Sequence, residues 1–271
     1  MKVINFNNKQ ERKEYAKNHT NNMVENYGKE IQHSIDNTFI YDVDFEGNEE
    51  NKEEKNTIIL VDKLDSVAAI FKYANLGKIA ILNFASYKNP GGGFINGSKA
   101  QEEALCYNSF LYNVLKEFEK DFYEWNRVHL NKSLYLNRAL YTKDVLFFNE
   151  NKNKKVYCDV ITCPAPNKKA SLEYSKVSNK ENYEVLESRI KFILDIAKDN
   201  NVDTLILGAF GCGVFGQDAN EVSFIFNDLL NKSYKNVFKN VIFAIPKFNP
   251  KDTNYDVFRK NILFKSKIKN T

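Results

Sequence analysis

A three-layer α/β fold with a largely parallel sheet is what this sequence predicts, on three observations. Short runs rich in Ile, Val, Leu and Phe alternate with longer stretches whose apolar residues recur at helical spacing. Two glycine-rich loops each leave a strand-like run and lead into a helical one. No Gly/Ser/Pro-rich linker divides the 271 residues, and their 43% hydrophobic content suffices for one large core. Strands that alternate with helices put helices on both faces of a parallel sheet. Ligands of such sheets sit at the carboxyl ends of the strands, which is where both glycine loops begin.

The elements follow in order. Residues 9–24 have helical character but are polar, as a surface element would be. Residues 44–56 carry five glutamates and little to bury, and predict a surface loop. NTIILV (56–61) is a strand, and 64–76 is a helix through Val67, Ile70, Phe71 and Ala74. KIAILNF (78–84) is a second buried strand, followed by the first glycine loop, 85–100. Residues 101–118 predict one amphipathic helix through Leu105, Phe110, Leu111, Val114, Leu115 and Phe118. Residues 144–148 and 156–162 are the next strands, and 181–198 is a helix on Val185, Leu186, Ile190, Ile193 and Leu194. TLIL (204–207) enters the second glycine loop, 208–216. A helix over 218–230 would begin with Asp218 near its N-cap, and VIFAI (241–245) closes the series.

Charge and cysteine usage narrow the function classes. The formal charge is +4, and residues 247–271 hold seven basic residues against Asp252 and Asp256, a net +5 that leaves the rest near −1. Such a tail can touch a polyanion; a solvated terminus is the plainer explanation. Cys106, Cys158, Cys163 and Cys212 form no C-x-x-C pair. Cys158 and Cys163, five apart on one strand and its exit, point to opposite faces and make poor zinc ligands. The first ten residues lack an apolar signal core, and no apolar run is long enough to span a bilayer. These features predict a soluble, reduced, cytoplasmic protein acting as a monomer, without metal or cofactor.

The two loops carry the candidate chemistry. Gly91, Gly92 and Gly93 remove three consecutive side chains, so backbone can approach a ligand closely and take positive φ. Gln101, Glu102 and Glu103 then open a helix, where the dipole favours carboxylates. Two adjacent carboxylates beside a tight loop can provide one acid of raised pKa and one ionised partner. A surface turn would explain the glycines alone, and an acidic first turn the glutamates alone; neither explains both after a buried strand. In the second loop, LGAFGCGVFG (207–216), bare amides ahead of a helix suit a diphosphate. Its G-x-G-x-x-G at Gly211, Gly213 and Gly216 would suggest a dinucleotide site. It lies near the end of the chain, however, and no acidic residue closes the next strand, so phosphate binding stands and NAD does not.

The run NFASYKNPGGGFINGSKAQEEAL (83–105) resembles the catalytic segment of bacterial-type poly(ADP-ribose) glycohydrolases, which have a macrodomain-like fold. DVITCPAPN (159–167) and LGAFGCGVFG resemble two further segments of that family, in family order. The resemblance implies a single macrodomain-like domain over 1–271, with 1–55 as an N-terminal extension packed on or near it. It implies release of ADP-ribose from poly(ADP-ribose) or an ADP-ribosylated protein. Glu103 would be general acid and then base, and Glu102 would hold ribose hydroxyls. Gly91, Gly92 and Gly93 would line the ribose and diphosphate, and Gly211, Cys212, Gly213 and Val214 would cradle the diphosphate by backbone amides. Phe215 would pack on the adjoining ribose or the adenine side, and Asn83 and Asn89 would position the glycine loop or the ribose. Gln101 and Phe94 complete the expected substrate-binding set. At Ser86 many macrodomains have Asn, and Asn89 is the candidate replacement. The resemblance also points to exo attack at the terminal unit, and Phe94, Ile95 and Phe215 are bulky enough to close the cleft beyond the distal ribose.

Other residues point less clearly to function. His19, His33 and His129 sit in no motif and suit surface or packing roles, which argues against a Ser/His/Asp or Cys/His hydrolase. Asp159 and Asn167 suit either ligand contact or capping. Phe122, Tyr123 and Trp125 suit helix packing. Two rival functions share the same residues: an ADP-ribose-binding module without hydrolysis, and a hydrolase of mono-ADP-ribosyl protein.

Overall fold

The computed structural model describes residues 8–47, 55–149 and 153–263. In chain order its elements are α1 (Lys9–Asp36), β1 (Thr38–Tyr41), β2 (Ile58–Asp62), α2 (Ser66–Tyr73), β3 (Ile79–Phe84), α3 (Gln101–Tyr107), α4 (Leu111–Leu115), α5 (Trp125–Val128), β4 (Ala139–Phe148), β5 (Lys155–Cys163), α6 (Lys168–Ser175), α7 (Asn179–Asp199), β6 (Thr204–Leu207), α8 (Ala219–Asn231), β7 (Asn240–Ala244) and α9 (Asn254–Leu263). A π-helical turn, Glu119–Glu124, precedes α5.

The strands form one seven-stranded sheet in the order β1-β4-β5-β3-β6-β7-β2. β5, β3, β6, β7 and β2 run parallel, while β4 and β1 add on antiparallel. The sheet is therefore mixed and mostly parallel, as the alternation of elements predicts. Strand residues alternate between its two faces, and each face has its own core. Leu82, Ile161, Leu205 and Phe243 pack with α7, α8 and α9 on one side. Ile81, Val160, Ile206 and Ile242 pack with α1, α2, α3 and α4 on the other. Cys163 falls in the first core and Cys158 in the second, on opposite faces as their spacing requires.

Four expectations need correction. The element expected over 9–24 runs to Asp36 and is no mere surface helix: Ala16, His19, Met23 and Ile31 are buried on one stripe, with a kink at Tyr27. The stripe is thin and partly polar, so hydropathy alone hides it. The single helix expected over 101–118 is broken. Residues 108–110 leave it to join the sheet: Ser109 bridges to Phe147, and Phe148 N–H donates to Asn108 C=O at 2.7 Å. β4 begins at Ala139, with its register shifted between Thr142 and Val145 where Asp144 takes φ +56°. α9 forms inside the basic tail, because Tyr255, Phe258 and Ile262 make an apolar stripe that is buried. β1 and α6 were not anticipated. Residues 48–54 of the acidic loop and 264–271 of the tail lie outside the described residues. Among the described residues no helix is long and apolar enough to cross a membrane.

Candidate active site

The site is assembled at the carboxyl ends of β3, β5 and β6. In the β3–β5 register Asn83 lies opposite Thr162, and Phe84 opposite Cys163. Asn83 is fully buried, and its amide donates to Glu102 Oε1 at 3.2 Å and Thr162 Oγ1 at 3.3 Å. Gln101, at the start of α3, continues the hydrogen bonding of β3. Its Oε1 accepts from the Phe84 N–H at 2.8 Å, and its Nε2 donates to Leu82 C=O at 2.8 Å and Ser66 Oγ at 3.0 Å. That amide is wholly engaged by the protein. It pins the N-terminus of α3 to the strand that the glycine loop has just left.

Between these anchors the loop folds as successive tight turns: the N–H groups of Gly92, Phe94, Asn96 and Gly97 each donate three residues back at 3.0 Å. Gly91 and Gly92 take φ +62° and +60°, a region that costs a residue with a Cβ about 1–2 kcal/mol. Their bareness has a second cause. A Cβ on Gly92 would lie 2.7 Å from both Glu102 Oε2 and Glu103 Oε1, and one on Gly93 would lie 2.2 Å from Ser98 Oγ. The sequence suggests that this bare backbone faces a ligand; in the structure it closes on the two glutamates.

Glu102 and Glu103 are 3% and 6% exposed. Glu102 Oε2 accepts from the Ser86 N–H at 2.7 Å, and Glu103 Oε1 from the Gly93 N–H at 2.7 Å. Glu103 Oε2 is buried and meets no donor among the described residues. Burial pushes the Glu102 carboxyl up to about 8; the Ser86 and Asn83 donors oppose that rise, and the charge of Glu103 adds to it. Behind the pair, burial holds the Cys106 thiol well above its ordinary pKa.

Phe94 is fully buried, its ring 4.9 Å from Tyr107 and 5.0 Å from Tyr112. It packs the interior and does not close the cleft, because the turn at Gly91 and Gly92 points it inward. Ile95 packs half-buried against the same core. Asn89 is exposed and shapes the loop with its backbone, donating to Ser86 Oγ at 3.1 Å.

The second loop presents backbone. A Cβ on Gly213 would meet nothing within 4 Å, and Val214 is 85% exposed. The N–H groups of Gly213, Val214 and Phe215 have no acceptor among the described residues. Gly211, at φ +75°, lets the loop pack on the β5 exit, where a Cβ would lie 2.8 Å from that of Ala165. Gln217, buried, closes the loop by donating to Pro166 C=O at 2.8 Å and exchanging bonds with Asn182 at 2.9 and 3.0 Å. Asp218 caps α8, as expected. Cys212 is half-buried and its thiol is pushed up to about 12 by burial, so it fills space as a neutral group.

An aromatic array that sequence reasoning missed joins the two loops. Tyr87 stacks on Tyr135 at 4.0 Å, and Tyr135 meets the Phe215 ring edge-on at 6.2 Å. Tyr135 comes from a segment in which Asn131, Lys132, Ser133 and Tyr135 all have positive φ. Only tertiary contacts hold such residues there, and no local pattern signals them. Asp159 lies in the middle of β5, four residues before its carboxyl end, accepting from Tyr141 OH and the Asp144 N–H. Asn167 caps α6. Phe122 and Tyr123 are core residues and Trp125 stacks on His129 at 3.7 Å, which are packing roles. His19 is a packing residue, bonded to Ser109 C=O at 2.8 Å. Among the described residues no group of three or more His, Cys, Asp or Glu is placed to hold a metal.

Residues 7–150 match a family model described as the catalytic domain of microbial-type PARG, poly(ADP-ribose) glycohydrolase. The second glycine loop lies beyond that stretch. The fold is similar to poly(ADP-ribose) glycohydrolase from Thermomonospora curvata, with a TM-score of 0.84 and 26% identity over 93% of this chain and 99% of that one. The same relative bound to the inhibitor ADP-HPD gives a TM-score of 0.80 at 26% identity, with the same coverage of both chains. The enzyme from Deinococcus radiodurans in complex with ADP-ribose gives 0.77, at 27% identity over 87% of this chain and 98% of that one. No curated protein matches the chain.

Proposed function

The chain belongs to the family of microbial-type poly(ADP-ribose) glycohydrolase catalytic domains, and from that premise we propose that Glu103 is the acid and base with which it cleaves ribose–ribose bonds. The activity is hydrolysis of O-glycosidic bonds in poly(ADP-ribose), with ADP-ribose released. One observation carries the assignment to Glu103. Of the four carboxylate oxygens, Glu103 Oε2 alone is buried without a protein donor, whereas both Glu102 oxygens and Glu103 Oε1 are hydrogen-bonded.

The chemistry follows from that arrangement. Glycosidic cleavage passes through an oxocarbenium-like state. At neutral pH Glu102 holds a proton in the free protein, because burial disfavours its charge. Bound substrate places its bridging oxygen at Glu103 Oε2; Glu103, protonated in that complex, gives its proton to this oxygen as the glycosidic bond breaks and the ribose departs as the alcohol, and the resulting carboxylate takes a proton from the water that attacks the oxocarbenium carbon, which restores the acid. Glu102 holds ribose hydroxyls. General acid–base help is worth about 10²–10⁴-fold, so orientation by the loops supplies much of the rest. The free amides of Gly213, Val214 and Phe215 hold the diphosphate, and Phe215 packs on the adjoining ribose. The single-domain organisation with an extension held through α1, and action as a monomer, belong to the same proposal.

Release from the chain end is the finer proposal. Its steric support now rests on Phe215, since Phe94 is interior. The test uses poly(ADP-ribose), end-labelled, and mono-ADP-ribosylated protein, with chromatography of the products over time. Monomeric ADP-ribose from the polymer at the earliest points is expected. Early oligomers of intermediate length would mean internal cutting; release from the modified protein alone would mean a mono-ADP-ribosyl hydrolase; binding without release would mean a recognition module.

A further inference from the structure

Arg189 on α7 is fully buried. Its Nε donates to Asn137 Oδ1 at 2.7 Å, its Nη1 to the Pro164 carbonyl, and its Nη2 has no partner among the described residues. Among those residues it forms no ion pair with a carboxylate. The ionisable groups acting on it are the Cys163 thiol and the Tyr87 and Tyr135 phenols. Burial pushes the thiol up to about 11 and raises both phenols, so all three are neutral near pH 7. A buried guanidinium held only by neutral acceptors is unusual, because buried charges are ordinarily paired.

Its position suggests a use. Pro164 follows the last residue of β5, at the sheet edge where both glycine loops emerge. Ala165, the next residue, is the surface on which Gly211 packs, and Pro166 C=O receives the Gln217 amide that closes the second loop. Tyr135, whose phenol is among the groups acting on the guanidinium, meets the Phe215 ring of the second loop edge-on. The uncompensated cation thus holds the carbonyl of Pro164, and the two residues after Pro164 are the ones on which the second loop packs and closes.

We infer that Arg189 is a fixed counter-charge for the diphosphate of the ligand, a positioning residue that acts through the β5 exit and the second loop rather than by touching substrate. The inference rests on the assignment of the second loop to the diphosphate. The anion supplies the charge that the protein withholds, so the cost of burying Arg189 is recovered only on binding. A neutral ligand gains nothing from it.

The test places a carboxylate where the neutral acceptor stands. Asn137→Asp keeps an oxygen for Arg189 Nε, and Ser188 Oγ, which now accepts from Asn137 Nδ2 at 2.9 Å, can donate instead. The free protein should melt no lower than wild type. Its ADP-ribose affinity should fall about tenfold by calorimetry, the size of one partly screened charge interaction, while adenosine affinity by NMR titration stays within twofold. Arg189→Gln, which removes the charge outright, should weaken ADP-ribose by a similar factor and spare adenosine. If Asn137→Asp leaves ADP-ribose affinity unchanged, weakens both ligands alike, or lowers the melting temperature, the inference is overturned. If Arg189→Gln does not fold, Asn137→Asp alone decides. Wild-type protein that fails to bind ADP-ribose would instead overturn the functional proposal on which the inference stands.

Discussion

Gly92→Ala is the substitution that most directly probes the link between the glycine loop and catalysis. The structure gives its cost in two parts. Gly92 sits at φ +60°, where an added Cβ costs about 1–2 kcal/mol. That Cβ would also lie 2.7 Å from Glu102 Oε2 and 2.7 Å from Glu103 Oε1, so one or both carboxylates must move by several tenths of an ångström. If Glu103 moves, its 2.7 Å bond from the Gly93 N–H is lost, and a hydrogen bond to a charged group is worth about 1.5–3 kcal/mol. The expected destabilisation is about 2–5 kcal/mol, seen as a melting temperature lower by several degrees. Displacement of the reacting carboxylate should lower kcat for ADP-ribose release about 10²-fold. Affinity for ADP-ribose should fall only a few-fold, since the amides of the second loop are untouched. The assay is chromatographic release of ADP-ribose from purified polymer, with calorimetry on the same variant. A folded Gly92→Ala protein with kcat within threefold of wild type would refute the reasoning: the carboxylates would not need the geometry that the bare loop imposes.

The remaining expectations address single groups. Glu103→Gln keeps the oxygen facing the Gly93 N–H and replaces the unpartnered Oε2 by an amide nitrogen that cannot act as acid and base; hydrolysis should nearly vanish while calorimetry still reports ADP-ribose binding, and turnover within a few-fold of wild type would sink the assignment. Gly213→Val places its side chain in open space, so the melting temperature should hold while ADP-ribose affinity drops tenfold or more; unchanged affinity would put the diphosphate elsewhere. Glu102, raised from 4.5 to about 8 by burial, makes the folded state bind more protons than the unfolded one between those values, so stability should fall as pH rises from about 5 to 8. Glu102→Gln should lose that slope, and parallel wild-type and variant stability profiles across the window would contradict a raised carboxyl. Hydrolysis should survive EDTA, because the proposed acid–base route runs through carboxylates and backbone amides alone; loss on chelation that one divalent ion restores would exclude it.

Much of the fold was legible because it depends on local pattern. TLIL is observed as β6 over the same residues, Thr204–Leu207, and KIAILNF lies within one residue of β3, Ile79–Phe84. Such runs become parallel strands because a strand buried on both faces must be apolar throughout. The pairing of Gly91–Gly93 with Glu102–Glu103 was equally visible, since left-handed φ and a carboxylate-rich helix start each leave a mark on the sequence.

What only the tertiary structure decided concerns direction and contact across long separations. Whether Phe94 faces the cleft or the core depends on two consecutive positive φ values, which turn it inward between Tyr107 and Tyr112. The Gln101 amide belongs to β3 because α3 folds back on the strand it followed, a contact with no counterpart in spacing. The rise of the Glu102 carboxyl was set by its burial, which outweighs the Ser86 and Asn83 donors that oppose it. Tyr135 and Arg189 reach the site from residues far along the chain, one through a left-handed segment and the other through a helix stripe that looks merely amphipathic. Periodicity records which face of an element is buried. It does not record which buried groups meet, and the roles of these residues depend on that.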